Sequence, residues 1–200
     1  MTHEAWVRLA LDCGAKKATI VEKNQIVLSA AFRDICAQNG CGVYGRCWMC
    51  PPDVGDIHVL MDDLKTYTHG LWYQSIGEIE DSFDIEGMTA VGAQHARLSQ
   101  KIQAAVKAAY DGDVLHLTCG GCRLCEKCAK VTDEPCRFPE KALPSLEAYG
   151  VDVYNTTKDT DLKYINGQNT VTFFGMVLFR EKDNAGINRA PGNRLHPPVL

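Results

Sequence analysis

The sequence predicts an α/β or α+β protein in which helices pack on a mixed sheet and two cysteine-rich loops are inserted between the elements. Apolar residues recur every three or four positions from 84 to 110, which is the spacing of one helix face. The segment TVTFFGMVLF (170–179) is apolar on both faces, as a central strand would be. We expect one domain over 1–200, with the cysteine loops at about 36–52 and 119–139.

The beginning of the chain is predicted to form a helix and a hairpin. Apolar side chains repeat at helical spacing over 4–13, and Thr2 is suited to cap that helix. The apolar segments ATIV (18–21) and IVL (26–28) flank the polar EKNQ, a pattern that predicts a β-hairpin.

The middle of the chain is predicted to form a helix followed by a crossover unit. Apolar positions over 57–64 indicate the helix, with Asp53 and Asp56 placed for its N-terminus. The strands predicted at 71–76 and 113–118 flank the long helix already described. Together they form a strand–helix–strand unit of the kind that crossover rules favour.

The last third is predicted to be less regular. SLEAYG (145–150) indicates a short helix closed by Gly150, and VDVY (151–154) indicates a short strand. The final segment, INRAPGNRLHPPVL (187–200), is predicted to be irregular.

Composition excludes several classes of function. The net charge is −4 at pH 7, and no basic face is visible in the sequence. Because phosphate binding needs such a face, no nucleic-acid partner is expected. No segment approaches the apolar run of about 18 residues that spans a membrane. The N-terminus lacks the basic start of a signal peptide, which predicts a cytoplasmic protein with reduced thiols. Ten cysteines in that compartment indicate metal or redox chemistry rather than disulfides.

Two of the ten cysteines are predicted to be core residues. Cys13 lies on the apolar face of the first helix, and Cys119 alternates in phase with Leu115 and Leu117. The other eight are candidate metal ligands in two groups. The first cysteine group comprises Cys36, Cys41, Cys47 and Cys50, and the second comprises Cys122, Cys125, Cys128 and Cys136.

The spacing of the second group, C-x2-C-x2-C-x7-C, favours an iron–sulfur cluster over zinc. Ligands at every third residue can wrap three corners of a cubane, and a more distant cysteine reaches the fourth. Zinc sites instead use two C-x2-C pairs separated by a longer span. The first group is less diagnostic, with spacing C-x4-C-x5-C-x2-C. We expect two [4Fe–4S] clusters, with the alternative that one cysteine of a group serves the other cluster.

The segments CGVYGRCWMCPP, GGCRLCEKC and PCRFPEKALPSLEAYGVDV, with the late apolar strand, resemble an uncharacterised family of predicted metal-binding proteins, a domain of unknown function. The resemblance covers roughly residues 13 to 180 and rests on the order and context of the cysteines. It implies cytoplasmic proteins, mostly from anaerobic microbes, with bound iron–sulfur centres. It implies no particular reaction. Where Cys47 is not a ligand, one iron of the first cluster is open.

Several residues near the cysteines allow two interpretations. The arginines beside cysteines are Arg46, Arg123 and Arg137. They either offset the negative charge of a cluster or are ordinary surface residues. Trp48 either shields a cluster or anchors its loop. Asp53 is either an acid or base near an open iron or a helix cap. The histidines in predicted elements are His58, His95 and His116. None has a second ligand at i+4, which predicts structural roles.

Three functions follow from these observations. The leading hypothesis is a redox protein that passes single electrons to a partner oxidoreductase, because two fully ligated clusters occur without an organic-substrate motif. The second is an enzyme whose open iron acts as a Lewis acid on a small substrate. The third is a zinc-stabilised interaction module.

Overall fold

The computed structural model describes residues 1–181, and its centre is a four-stranded sheet. The strands are β1 (Lys17–Glu22), β2 (His69–Glu78), β3 (Val114–Leu117) and β4 (Thr170–Phe179). They lie in the order β1-β2-β4-β3. All three ladders within these residues are antiparallel, and an isolated parallel bridge joins Thr118 to Ser145. The predicted irregular segment 187–200 lies outside the described residues.

Five helices accompany the sheet, so the predicted α/β class is confirmed. They are α1 (His3–Asp12), α2 (Phe32–Ala37), α3 (Ile57–Leu64), α4 (Ile85–Ala109) and α5 (Val153–Lys158). Short 3-10 turns lie at Lys23–Gln25, Ala129–Thr132 and Glu147–Tyr149. Two predicted caps are confirmed: Thr2 Oγ1 accepts a hydrogen bond from Ala5 N, and the Asp56 carboxylate accepts from the backbone at the start of α3.

Helices cover both faces of the sheet. On one face α1 and α4 bury a core in which Trp6 stacks on Phe179, with ring centroids 4.4 Å apart. On the other face α3 and the segment around the Glu147–Tyr149 turn pack against Trp72 and Met176. Within residues 1–181, none of the helices has the length and apolar character needed to cross a bilayer.

The predicted strand–helix–strand unit is present with another strand inserted into it. Both β2 and β3 pair antiparallel with β4, so they run parallel to each other on either side of it. The long helix α4 connects them. This arrangement leaves β3 at the edge of the sheet and directs the chain after β3 into the second cysteine loop.

The predicted hairpin is wrong. β1 pairs with β2 instead of with 26–28, and the intervening residues form a 3-10 turn. Gln25 stabilises that turn, since its Oε1 accepts a hydrogen bond from Glu22 N at 2.7 Å. The polar EKNQ lacks the glycine that a tight hairpin turn favours. Leu28 instead forms an isolated bridge with Val151.

The strand predicted at 151–154 is also wrong beyond its first residue. The Asp152 carboxylate accepts hydrogen bonds from Asn155 N at 2.9 Å and from the Asn155 side chain at 2.6 Å. This N-cap starts α5 at Val153. Local capping therefore outweighs the strand preference of the valines.

The predicted structural roles of His95 and His116 agree with a buried hydrogen-bond network beneath α4. His116 Nε2 lies 2.8 Å from Tyr73 Oη, which donates to Ser99 Oγ at 2.8 Å. His95 Nε2 donates to the carbonyl oxygen of Phe174 at 3.0 Å. Burial lowers the pKa of His95 to about 4 and that of His116 to about 3, so both rings are neutral in the folded protein.

Acidification is therefore expected to destabilise the fold. Below a pKa of about 6.5, the unfolded chain binds protons at both histidines that the folded chain does not bind. The free energy of unfolding should fall by about 1.4 kcal/mol per pH unit for each histidine as the pH drops from 6.5 towards 4. Urea unfolding measured at several pH values from roughly 7 to 5 checks this. The slope should be shallower in His116→Gln, which keeps a donor for Tyr73, and an equal slope in both proteins would contradict the account.

Candidate metal centre

Members of both cysteine groups, far apart in the sequence, meet in one cluster of side chains. Cys47 and Cys50 are buried, with 3% and 5% exposure, and pack against Cys122, Cys128 and Cys136. The first group is carried by the end of α2 and the loop that leads to α3, and the second by the loop after β3. The fold therefore brings thiols of both loops to one place.

Five cysteines line a single cavity. They are Cys47, Cys122, Cys125, Cys128 and Cys136. Sequence order placed Cys47 in the first group, whereas the structure places it on the cavity of the second. Trp48, Met49 and Phe138 complete the apolar part of the wall. Sulfur is the donor that soft metals and iron–sulfur clusters prefer, so this donor set fits a thiolate-ligated metal centre.

Cys47 and Cys50 form a hydrogen-bonded pair of thiols. A hydrogen bond from Cys50 lowers the pKa of Cys47 to about 6, and the backbone N–H groups of Met49 and Cys122 act in the same direction. The same bond, together with burial, raises the pKa of Cys50. Of the two thiols, Cys47 therefore loses its proton more readily, and thiolate is the form in which cysteine binds metal.

The remaining members of the first group lie on the Cys50 side of this pair. The neighbouring charges of Cys41 and Cys36 contribute to the raised pKa of Cys50. Burial raises the pKa of Cys36, and the adjacent Glu147 adds to the effect. Cys41 is exposed. The cavity of the second group thus includes Cys47, while Cys36 and Cys41 approach Cys50.

Glu147 is a site neighbour that the sequence analysis missed. Burial raises the pKa of its carboxyl group, which accepts hydrogen bonds from Ser145 and from the backbone N–H of Gly120. It lies near Cys36 and Cys119. Because it is far from the first group in sequence and belongs to no spacing motif, no local signal identifies it.

Glycine allows close approach between the two loops. A Cβ atom at Gly121 would lie 3.4 Å from Cys50 Sγ and 3.4 Å from a methyl group of Val43. The backbone of the second loop therefore closely approaches the Cys50 sulfur of the first loop, which a glycine at this position allows.

A lysine joins the two cysteine loops. Lys130 Nζ lies 2.9 Å from Asp53 Oδ1 and 4.5 Å from the centre of the Trp48 ring. Trp48 Nε1 also donates to the carbonyl oxygen of Glu134 at 2.9 Å. Asp53 is thus part of this loop contact, and the prediction that it caps α3 is wrong because Asp56 occupies that position.

The other candidate residues occupy different surroundings. Arg137 lines the five-cysteine cavity, while Arg46 and Arg123 are exposed. Cys13 packs against the core between α1 and α4. Burial raises the pKa of Cys119 to about 12. His58 is exposed on α3.

A second cavity adjoins the first. Its volume is about 170 Å³, and it lies along β3 between α3, α4 and the segment 139–144. Trp48, Met49 and Ala142 line both cavities and so form the wall between them. A small molecule in the larger cavity would therefore lie close to the cysteine centre.

Comparison with known families finds a match over most of the chain. The family described as predicted metal-binding protein (DUF2284) matches residues 19–179. No curated protein and no solved structure showed significant similarity to the chain.

Proposed function

Because the chain belongs to the family of predicted metal-binding proteins (DUF2284), we propose that its cysteines hold two [4Fe–4S] clusters and that it passes single electrons to a partner oxidoreductase. The observation that carries this proposal is the cavity lined by five cysteines from two loops. The C-x2-C-x2-C spacing of the second group supports a cluster rather than a zinc ion. A reducing cytoplasm would suit such thiols.

The proposed ligands divide between two centres. Cys122, Cys125, Cys128 and Cys136 would hold one cluster, and Cys36, Cys41, Cys47 and Cys50 would hold the other. Cys47 lies between the groups and reaches both Cys50 and Cys128 by hydrogen bonds. When bound, such clusters supply one-electron transfer.

The surrounding residues have the properties that such a role requires. Trp48 and Met49 are buried at the cavity and exclude water from the thiols. Arg137 places a cationic side chain on the cavity wall, which favours anionic sulfur. Backbone N–H groups of Met49 and Cys122 donate to the Cys47 sulfur. Hydrogen bonds of this type raise the reduction potential of sulfur-ligated iron.

Metal and sulfide analysis of anaerobically purified protein tests the proposal. Two cubanes predict about eight irons and about eight acid-labile sulfides per chain. Spectra of the oxidised and reduced forms should show iron–sulfur absorption that bleaches on reduction. Two zinc ions without sulfide would refute the iron–sulfur assignment and support the zinc-stabilised module. Four irons would limit the protein to one cluster.

An enzyme is the second candidate function, and two observations favour it. Cys47 lines the cavity of the second group, which supports an arrangement with only Cys36, Cys41 and Cys50 as ligands of the first cluster. Three protein ligands leave one iron open to a small molecule. The cavity of about 170 Å³ that shares Trp48 and Met49 with the cysteine cavity offers space for that molecule.

A further inference from the structure

Metal-ligating side chains also meet where the start of α1 approaches the end of β4. His3 opens α1, His69 opens β2, and Glu181 follows β4. One ligand atom from each of the three residues lies within 4.8 Å of the other two. His3 Nε2 and Glu181 Oε1 are 2.7 Å apart.

Thr68 positions two of these residues. Its hydroxyl donates to the carbonyl oxygen of Phe179 at 3.4 Å and accepts from Glu181 N at 3.1 Å. In the tautomer of His69 that carries its proton on Nδ1, the ring donates to Thr68 Oγ1 at 3.0 Å. That tautomer leaves the free electron pair on Nε2, from which a neutral imidazole can ligate a metal.

Phe179 fixes the orientation of both imidazoles. Its ring stacks on His69 at a centroid distance of 5.7 Å and contacts the edge of His3 at 6.4 Å. The two histidine rings are 4.8 Å apart. Packing against a buried aromatic ring therefore holds the two nitrogen ligands near each other before any ion is present.

We propose that His3, His69 and Glu181 bind one divalent transition-metal ion such as Zn²⁺. Two imidazole nitrogens and one carboxylate oxygen form a ligand set that zinc uses when a fourth position is left to water. The partial exposure of His3 and Glu181, about half of each side chain, leaves room for that water. The ion ties the beginning of α1 to the residue after β4.

This site is independent of the cysteine centre. It contains no cysteine, and His3 and Glu181 lie outside the family match to residues 19–179. Its metal is held by nitrogen and oxygen, which borderline divalent ions accept and iron–sulfur clusters rarely use.

Calorimetric titration of the iron-loaded full-length protein with Zn²⁺ tests the site. Wild-type protein should bind one Zn²⁺ that His69→Ala and Glu181→Gln bind about tenfold or more weakly, since each removes one ligand. His58→Ala is the matched control, because His58 is an exposed histidine on α3 and should leave the titration unchanged.

Thermal unfolding gives a second measurement on the same proteins. Zn²⁺ should raise the melting temperature of wild type and His58→Ala, because an ion that binds only the folded chain stabilises it. The increase should be lost in His69→Ala and Glu181→Gln. Equal zinc affinity and equal thermal shifts in all four proteins would overturn the proposal, since the zinc would then bind elsewhere. Displacement of iron from the cysteines by Zn²⁺ should be equal in all four proteins. That result would count against the proposed clusters and not against this site.

Discussion

Replacing Cys47 with serine is expected to damage the proposed cluster of the first cysteine group. Cys47 is hydrogen-bonded to Cys50 and to Cys128 and is the proposed fourth ligand of that cluster, so its loss removes a thiolate from the place where the two loops meet. Serine binds iron less well than thiolate, and a cubane that loses a ligand often loses one iron. Iron content should fall from about eight by one to four atoms per chain, with a three-iron signal in electron paramagnetic resonance.

Matched variants identify which centre responds. The spectrum of Cys47→Ser should resemble that of Cys41→Ser and differ from that of Cys128→Ser, because Cys41 is a proposed ligand of the same cluster as Cys47. Cys13→Ser is the control for a cysteine in the helical core and should retain all its iron. Two results together would favour the enzyme over the electron carrier. They are an unchanged four-iron spectrum in Cys47→Ser and a wild-type spectrum that shifts on adding small anions or thiols.

Trp6→Ala is expected to produce the largest loss of stability. The Trp6 side chain has no exposed surface, stacks on Phe179 and contacts the edge of Tyr110 at a centroid distance of 5.1 Å. Truncating a buried tryptophan costs about 3–5 kcal/mol, because apolar burial is lost and a cavity remains. Urea unfolding monitored by circular dichroism measures the change in the free energy of unfolding.

An exposed position on the same helix provides the control for Trp6. Leu11 is 43% exposed, so Leu11→Ala should change the free energy of unfolding by less than about 1 kcal/mol. A loss in Leu11→Ala as large as that in Trp6→Ala would contradict this account, because an exposed leucine has little packing to lose and alanine is the best helix former.

The elements predicted correctly are those specified by local and repetitive signals. The helical period of α4, the continuous apolar run of β4 and the carboxylate of Asp56 each act within one segment of chain. The errors occur where a short apolar segment had two possible partners. Within residues 26–28, Leu28 forms a single bridge with Val151, and the segment does not pair with β1. Its pairing therefore depends on a residue that is distant in sequence.

The cysteine pattern identifies the candidate thiols, whereas it does not predict how the two loops face each other. Spacing along the chain identifies thiols that can share a metal, but it contains no information on which loop faces which. Cys47 joins the cavity of the second group because Trp48 and Lys130 connect the loops, and both contacts reach residues far away in sequence. Glu147 enters through tertiary packing alone.

The position of β4 affects the order in which the protein can be completed during synthesis. Among the strands of residues 1–181, β4 comes last in sequence, yet it is the strand that joins β2 to β3. While the ribosome is still producing residues before Thr170, β3 has no ladder partner among the four strands, and the loop that follows it is not anchored to the sheet. The thiols of both groups leave the ribosome before that anchoring strand does. Loading of metal into a finished cavity is therefore a step that follows translation of nearly the whole chain, and the nascent thiols need a reducing environment until then.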